Sequence, residues 1–459
     1  MTTSHEFVEA IADADSFVSW DPPNWKESVI TGELRIRGRR VAMVAGEFSY
    51  QAGSIGVATA ERLVEAIEKA TAARLPLIAS PASGGTRMQE GTLAFVQMIK
   101  VSAAVAAHRA AHLPYVVYLR SPTMGGVFAS WGSLGHITFA EPGALVGFLG
   151  PRVYSALYGE EFPEGVQVSE NLYRNGVIDG VVPVKVFRHI VHRALIVMAG
   201  EVKPTRIAAP PTAFGRHSWT SVLATRRHDR PGIRDLLRRA TERVPLSGTG
   251  QGELDRTVLL SLARFHGQPC VLFGQDRRGG ESMGPAALRE ARRAMKIAEE
   301  LRIPLVTVID TVGASLSKEA EERGLAPEIA RCIADLVTLE TRTLAVLLGQ
   351  GTGGGALALL PADRVIAAEN AWLSPLPPEG ASAIVYRDTE HAAELAEQQR
   401  IGAGDLYDDG VVDSVISEDG DFIADMVTAI GKELAGLKPV NLKRRVRRYR
   451  DLGVKRPAR

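Results

Sequence analysis

The stretch ARLPLIASPASGG (residues 73–85) decides the fold, because it returns as LRIPLVTVIDTVG (residues 301–313), with Pro76 and Pro304 lying 228 positions apart. The same offset pairs several further positions along the chain: Gly46 with Gly274, Gly56 with Gly284, Gly85 with Gly313, Gly125-Gly126 with Gly353-Gly354, and Ala140-Glu141 with Ala368-Glu369. Chance matches would scatter over many offsets, and this period is too long for a solenoid. The sequence therefore predicts two homologous domains in tandem, which we place at residues 1–205 and 206–459.

Short apolar runs alternate with helical stretches inside each copy. Buried strands are predicted in copy one at Val41–Ala45, Leu75–Ala79, Tyr115–Leu119 and His136–Phe139. Apolar residues recur on one face of two predicted helices, Ala60–Ala73 and Leu288–Leu301. This alternation predicts an α/β fold with a largely parallel sheet in each copy. Residues from about 201 to 250 are rich in proline and arginine, and they predict a linker with some helix at Ile233–Ala240.

The composition limits the classes of function. The 459 residues include 54 basic and 53 acidic side chains, and the resulting net charge of +1 gives no reason to expect a nucleic-acid partner. Two cysteines are too few for a disulfide scaffold or a four-cysteine zinc site. No signal peptide is recognised, and no apolar run approaches the ~20 residues of a membrane span, so we expect no membrane partner and a cytoplasmic location.

Glycine-rich segments recur where a catalytic motif would be expected. We call Ser83-Gly84-Gly85 and Thr311-Val312-Gly313 station one, and Thr123–Val127 and Thr352–Ala356 station two. Neither copy contains a GxSxG elbow, a Walker loop or HExxH, and the histidines do not recur between the copies. Each station follows a predicted strand and opens a predicted helix, where unpaired N–H groups could bind an oxyanion. Tight turns that pack small residues are the alternative.

Long segments resemble the carboxyltransferase of bacterial acetyl-CoA carboxylase. Its β-subunit is resembled by SGGTRMQEG (83–91), SPTMGGVFAS (121–130) and ITFAEPGALVGFLGPRV (137–153). Its α-subunit is resembled by SWTSVLATRRHDRP (218–231), FGQDRRGG (273–280), IPLVTVIDTVGASLSKEAEERG (303–324), GQGTGGGALAL (349–359) and PPEGASAI (377–384). The order within one chain is also similar to that of single-chain carboxyltransferase subunits of acyl-CoA carboxylases. The resemblance implies tandem crotonase-like ββα spiral domains.

The resemblance also implies a reaction and a set of site residues. CO2 would pass from carboxybiotin to the α-carbon of an acyl-CoA, acetyl-CoA above all, and two oxyanions would develop on the way. The resemblance assigns Gly125 and Gly126 to the acyl-CoA enolate, and Gly355 and Ala356 to the biotin ureido oxygen, with Gly354 as an adjacent candidate. The residues implied to bind the two substrates are Ser83, Gly84, Gly85, Arg87, Thr311, Gly313, Leu357 and Ala358.

Partners follow from the same resemblance. It implies a biotin carboxylase and biotin carboxyl carrier subunit, because the chain itself shows no biotinylation hairpin and no covalently bound cofactor is expected. It also implies a homo-oligomer that is built from dimers, with a hexamer as one of the sizes it could reach, and whose sites join copy one of one chain to copy two of another. A decarboxylase of the same fold and a catalytically degenerate structural subunit are the alternatives.

Three departures from the family pattern concern zinc, a loop and the acyl pocket. No cysteine precedes Cys270, so the zinc ribbon of many β-subunits is absent and no metal is expected. Val312 stands where the α-subunit usually has proline, and Leu357-Ala358 stands where propionyl-type enzymes carry an acid.

Several charged residues have both a functional and a structural interpretation. Arg87 could meet a coenzyme A phosphate or hold its helix, and Asp310 could serve a site at the end of its strand or cap the next helix. Arg277-Arg278 could bind an anionic cofactor or form a solvated loop. The basic segment Lys443–Arg450 predicts a terminal helix or mobile tail with exposed charge, with a nucleic-acid or membrane patch as the alternative.

Overall fold

The chain forms two compact units in the computed structural model, which describes residues 2–200, 202, 207–214, 217–279 and 282–453. Unit 1 comprises Met1–Gly200 with Leu246–Glu253, and unit 2 comprises Glu201–Pro245 with Leu254–Arg459. Unit 1 contains copy one of the repeat and unit 2 contains copy two. The domain boundary was predicted between residues 205 and 206, which both lie outside the described part of the chain.

Unit 1 carries a mostly parallel sheet with helices packed on it. Its strands are β1 Val18–Ser19, β2 Val29–Ile36, β3 Arg39–Gly46, β4 Leu77–Ser80, β5 Tyr115–Leu119, β6 Thr123–Met124, β7 Ile137–Ala140, β8 Val146–Gly147 and β9 Gly180–Val181. Its helices are α1 Ser4–Ile11, α2 Val57–Ala72, α3 Gly91–Ala110, α4 Gly125–Phe128, α5 Pro151–Tyr158, α6 Ser169–Arg174 and α7 Val184–Ala199.

Unit 2 repeats this plan with additional helices. Its strands are β10 Glu242–Leu246, β11 Val258–Phe265, β12 Gln268–Gln275, β13 Leu305–Thr311, β14 Thr343–Thr352, β15 Arg364–Ala368, β16 Trp372–Ser374 and β17 Ser414–Ile416. Its helices are α8 Ser218–Thr225, α9 Ile233–Arg239, α10 Pro285–Leu301, α11 Lys318–Glu322, α12 Leu325–Thr338, α13 Gly353–Leu357, α14 Pro378–Val385, α15 Ala392–Gln398, α16 Ala403–Asp408, α17 Phe422–Gly436 and α18 Leu442–Arg450.

The two sheets share one topology. Unit 1 has the order β1-β2-β3-β4-β5-β7-β9, and unit 2 has the order β10-β11-β12-β13-β14-β15-β17. In each sheet an antiparallel hairpin, β2–β3 or β11–β12, is followed by strands that pair in parallel through crossover helices. The duplication of an α/β domain, predicted from the repeat, is therefore present in the strand order itself.

Strand pairing shows that the register of the repeat is not uniform. The offset of 228 holds at station one, because the bridge Ile55–Thr86 in unit 1 corresponds to Met283–Ala314 in unit 2. In the preceding strand the pairing matches Gly46 with Gln275 rather than with Gly274. One-residue differences in the loops shift the register, so the apparent sequence match at Gly46 lies one residue out of place.

The cores explain why the apolar runs form these elements. Strand β5 is buried at all five positions, as expected for a strand inside a parallel sheet that is covered on both faces. On α2 the predicted apolar face, Leu63, Ile67 and Ala70, is fully buried against the sheet. Helix α2 therefore turns its apolar face toward the sheet, and the loops at the strand ends remain available for a site.

Most of the segment predicted as a linker, Glu201–Pro245, is instead part of unit 2, and its end belongs to unit 1 with Leu246–Glu253. Helix α9 confirms the predicted helix to within one residue, but α8 and β10 also lie in this segment. The indole Nε1 of Trp372 donates to Thr225 Oγ1 at 2.8 Å, and Arg230 forms an ion pair with Glu418 at 2.6 Å. These buried polar contacts fix a sequence whose proline and arginine content had indicated a loop.

The basic C-terminal segment forms α18 and turns part of its charge inward. The Arg445 side chain is fully buried, donates to the carbonyls of Leu336, Leu339 and Thr341, and contacts Asp363 at 2.8 Å. The expectation of a helix is confirmed, whereas the expectation that its charges are exposed is wrong for this arginine. Burial is tolerated here because every contact is a hydrogen bond to a carbonyl or a carboxylate.

Helix α3 has an unusually apolar exposed face. Within the described residues, Met88–Ala110 is the one helical stretch long and apolar enough to cross a membrane by length and composition, so the expectation that no such stretch exists is wrong. The helix nevertheless packs Val101 and Val105 into the core of unit 1. Its opposite face leaves Phe95 65% and Ile99 73% exposed, which is rare for a monomer surface.

Candidate active site

Station one has the same local geometry in both units. In unit 1 the Ser83 hydroxyl accepts from the Gly85 N–H at 3.0 Å and donates to its carbonyl at 3.2 Å. In unit 2 the Thr311 hydroxyl makes both contacts with Gly313, each at 3.1 Å. The two glycines have φ values of 121° and 125°, which side chains other than glycine rarely adopt. Ser83 and Thr311 therefore hold the loop, and their buried hydroxyls are used by it.

Station two also repeats and lies beside station one. Strand β6 ends at Met124, whose N–H donates to the Ser83 carbonyl at 3.0 Å and so ties the two stations of unit 1 together. In unit 2, Thr311 pairs with Gly351, which leads into the same turn. The first helical residue is a left-handed glycine in each unit, with φ of 61° at Gly125 and 65° at Gly353. The sequence prediction placed Gly353 in station two but did not assign it to an oxyanion hole.

Helix geometry indicates which N–H groups are available as donors. The first four N–H groups of a helix have no partner within it. With Met124 as the N-cap of α4, Gly126 is such a donor; with Thr352 as the N-cap of α13, Gly354 and Gly355 are donors. Ala356 lies one position further on, where its N–H bonds back to the N-cap carbonyl. Of the predicted residues in unit 2, the geometry therefore favours Gly354 and Gly355.

A cavity adjoins station two of unit 2. Its volume is about 330 Å³, and it is lined by Arg226, Val312, Gln350, Thr352, Trp372 and Pro377. Val312 is 53% exposed at its edge, and the buried Thr352 hydroxyl has no hydrogen-bond partner among the described residues. The mixture of apolar walls and a few polar groups is typical of a small-molecule site. Of the two predicted acyl-pocket residues, Leu357 is half-exposed and Ala358 is fully buried.

Arg87 forms ion pairs with two neighbouring carboxylates. Its guanidinium is nearly buried and contacts Glu27 at 2.6 Å and Glu90 at 3.1 Å. The hydrogen bond that Arg87 donates to Glu27 raises the pKa of Arg87, so the side chain stays charged. Glu90 in turn accepts from the Val57 N–H at the start of α2. These contacts favour the interpretation that Arg87 holds the loop after station one; its contact with coenzyme A stays a prediction.

Asp310 lies behind station two rather than at its surface. The carboxylate is 1% exposed, and its Oδ1 accepts from the Gln350 N–H at 3.1 Å. Burial raises the pKa of Asp310, although Arg277 Nε lies 3.3 Å from Oδ2 and acts in the opposite direction. Asp310 therefore stabilises strand β14 rather than capping the next helix. Arg277 is the counter-ion of Asp310, so it is not part of a solvated loop.

Among the described residues, no activated thiol is found near the stations. Cys270 and Cys332 are both buried, and burial raises the pKa of Cys332 to about 12, so neither is a thiolate at neutral pH. Within the described part of the chain, no group of three or more His, Cys, Asp and Glu side chains is placed to hold a metal ion. Apart from the Thr352 hydroxyl, the groups that the stations present to a ligand are backbone N–H groups.

A duplicated α/β domain that presents paired glycine turns at strand ends defines a class of enzymes that stabilise oxyanions through the backbone. The family model for the carboxyl transferase domain matches residues 6–435, and the chain belongs to this family. The family predicted from the sequence is therefore confirmed.

Relatives and solved structures agree with this assignment. The chain is 54% identical to the probable biotin-dependent acyl-coenzyme A carboxylase beta3 subunit of Mycobacterium tuberculosis, over 99% of both chains. It is 37% identical to the acetyl-coenzyme A carboxylase carboxyl transferase subunits beta/alpha of Salinispora arenicola, over 85% of this chain and 73% of that one. The transcarboxylase 12S structure superposes with a TM-score of 0.76 at 18% identity, over 100% of this chain and 91% of that one. The predicted crotonase-like fold class is confirmed.

Proposed function

We propose that this chain is the carboxyltransferase subunit of a biotin-dependent acyl-CoA carboxylase, and that it transfers CO2 from carboxybiotin on a partner carrier to the α-carbon of an acyl-CoA. The observation that carries the proposal is that both units contain the same glycine turn at station two. Unit 1 and unit 2 build the same turn, with φ of 61° at Gly125 and 65° at Gly353. A reaction that develops negative charge on two separate oxygens needs two such turns.

The residues of the chain act by binding and orientation. Carboxybiotin supplies CO2 and a ring nitrogen that accepts the α-proton of the thioester. The N–H groups at Gly125 and Gly126 bind the thioester oxygen as it becomes an enolate, and those at Gly354 and Gly355 bind the ureido oxygen. The enolate carbon then forms the new bond to CO2. One such donor is worth about 3–4 kcal/mol in the transition state, so the mechanism needs no side-chain nucleophile.

We also propose that the subunit works as a homo-oligomer with a biotin carboxylase and carrier partner in the cytoplasm. The apolar face of α3 supports a partner surface, since Leu93, Phe95 and Ile99 are each more than 60% exposed. The related M. tuberculosis protein is named as a subunit, and the transcarboxylase 12S is a hexamer. We propose that each site in this oligomer joins copy one of one chain to copy two of another.

Replacement of Ile99 by Asp tests the oligomer. The charge on this face should dissociate the assembly, measured by light scattering, and should abolish turnover while each monomer stays folded. Leu223→Asp, at a 52% exposed position on α8, is the control for an exposed charge elsewhere. An Ile99→Asp protein that keeps its size would exclude this face as the interface.

The reverse partial reaction tests the function itself. Purified chain with malonyl-CoA and free biotin should give carboxybiotin and acetyl-CoA without ATP. In the forward direction, a carboxylated carrier and a series of acyl-CoA thioesters should show CO2 fixation, with acetyl-CoA as the substrate we expect. Release of CO2 from malonyl-CoA without carboxybiotin would indicate a decarboxylase. Tight binding of acyl-CoA with no turnover in either direction would indicate a degenerate subunit.

A further inference from the structure

A single buried amide connects three parts of station two in unit 2. Gln275, the last residue of β12, is 3% exposed. Its Nε2 donates to the Gly355 carbonyl at 3.0 Å, and its Oε1 accepts from the Asp310 N–H at 2.9 Å. Both ends of the amide are thus used, so its orientation is fixed. The amide holds the first turn of α13 against the end of β13.

Asp310 continues the connection to the strand that carries the turn. Its Oδ1 accepts from the Gln350 N–H, two residues before Thr352. Glycine at 349 permits this approach, because a Cβ there would lie 2.4 Å from Asp310 Oδ1. The carboxylate is therefore packed against the backbone of β14 just before the strand ends.

Arg277 extends the same network to the wall of the cavity. Besides the contact with Asp310, its guanidinium donates to the carbonyls of Thr225, Arg227 and Arg230. This segment includes Arg226, which lines the cavity beside station two. The network thus joins the turn, the strand and the cavity wall.

Unit 1 builds the same turn without this network. The positions equivalent to Gln275 and Asp310 are occupied by Gly46 and Ala82, and Gln350 is replaced by Pro122, which has no N–H to donate. The turn at Gly125 nevertheless forms with nearly the same φ as at Gly353. In unit 1 a different buried side chain supports the same edge of the sheet, because Arg120 donates to the carbonyls of Gly46 and Ser80. The network of Gln275 and Asp310 is therefore specific to unit 2.

We infer that Gln275 and Asp310 are positioning residues that hold the donor turn of unit 2 for the biotin ureido oxygen, an inference that rests on the proposed function. Neither residue touches substrate. Gln275 fixes the Gly355 carbonyl, and with it the direction of the adjacent N–H groups, while Asp310 fixes the strand that precedes them. A preorganised donor costs no reorganisation during the reaction, so loosening the turn lowers the rate of the step in which the ureido oxygen becomes charged.

The test compares Gln275→Met with wild type in malonyl-CoA-dependent carboxylation of free biotin. Methionine has a similar volume but makes neither hydrogen bond. We expect kcat to fall by about 10-fold or more, with KM for malonyl-CoA unchanged, because unit 1 is intact. Gln268→Met, at the buried opposite end of the same strand, is the matched control and should keep the wild-type kcat. Thermal midpoint and oligomer size are measured for each protein.

Further variants keep the inference falsifiable. Gln275→Glu retains the acceptor for Asp310 but faces the Gly355 carbonyl with an oxygen, so it should lose kcat even if the methionine variant does not fold. Asp310→Asn retains the Oδ1 acceptor and should recover most of the rate that Asp310→Ala loses. Folded Gln275 variants with wild-type kcat, or an equal loss in Gln268→Met, would overturn the inference alone. An inactive wild type would instead overturn the proposed function and this inference with it.

Discussion

Alanine at the left-handed glycines is the sharpest perturbation that the two units offer. Gly125 and Gly353 have φ of 61° and 65°, and the nearest atoms to an added Cβ are backbone oxygens at 3.6 and 3.3 Å. The added methyl group therefore fits or nearly fits, and the cost is torsional. A left-handed L-residue is disfavoured by roughly 1–2 kcal/mol. The same strain is thus applied once in each unit, at equivalent positions.

The kinetic consequences should differ between the two variants. If the turn rotates to relieve the strain, its N–H groups move away from the oxyanion, and the loss of one donor lowers the rate by about 10²–10³. Gly125→Ala should impair the use of malonyl-CoA, and Gly353→Ala should impair the use of free biotin. The assay is the reverse partial reaction with each substrate varied in turn. If sites are shared between chains, mixing the two variants should restore part of the activity.

Two remote glycines provide the controls. Gly38 and Gly420 have φ of 81° and 83°, and an added Cβ would meet nothing within 4 Å at either. Gly38→Ala and Gly420→Ala should lower the thermal midpoint as much as the station variants while leaving the rates unchanged. If the station variants also keep wild-type rates in an intact oligomer, the glycines are only turns. If both station variants show the same kinetic defect, the assignment of one oxyanion to each unit is wrong.

Two predictions concern stability. Arg445→Ala should lower the free energy of unfolding by about 3 kcal/mol or more, because Asp363 loses its buried partner; Arg444→Ala, at an exposed neighbour, should change it by about 0.5 kcal/mol or less in urea titrations. Burial lowers the pKa of His108 to about 4, from 6.5 when unfolded, so its stabilising contribution is complete above pH 6.5 and is lost as the pH falls toward 4. The free energy of unfolding of wild type relative to that of His108→Gln should therefore decrease by up to about 3 kcal/mol between pH 7 and pH 4. A difference that stays constant with pH would contradict this.

The repeat was sufficient to predict the fold because it reports strand and turn positions at once. Both strongly periodic helices and the parallel strands formed where the pattern placed them, to within about three residues. A single offset could not predict the one-residue shifts, since loop lengths change without any signal in the flanking strands. Gly353 was placed in station two but was not assigned to an oxyanion hole, because three consecutive glycines at 353–355 give no indication of which one adopts the left-handed φ.

Buried polar residues were the main source of error. Arg445 belongs to a run of basic residues, and only the fold shows that four acceptors converge on this one. The segment around Arg230 indicated a loop by its composition, but its ion pair with Glu418 fixes it to unit 2. Asp310 and Gln275 were similarly unremarkable in sequence, because their partners are backbone groups contributed by strands far apart in the chain.

The inward-facing cations of α18 have a practical consequence for truncation and tagging. Removing residues 441–459 would be the obvious way to ask whether the basic end binds an anionic partner. It would also deprive Asp363 of Arg445 and Asp413 of Arg448, which contacts it at 2.8 Å. Lost activity after truncation would then report a damaged unit 2 and say nothing about binding. Charge reversal at the exposed Lys443 or Arg444 asks the same question and leaves the buried ion pairs of unit 2 intact.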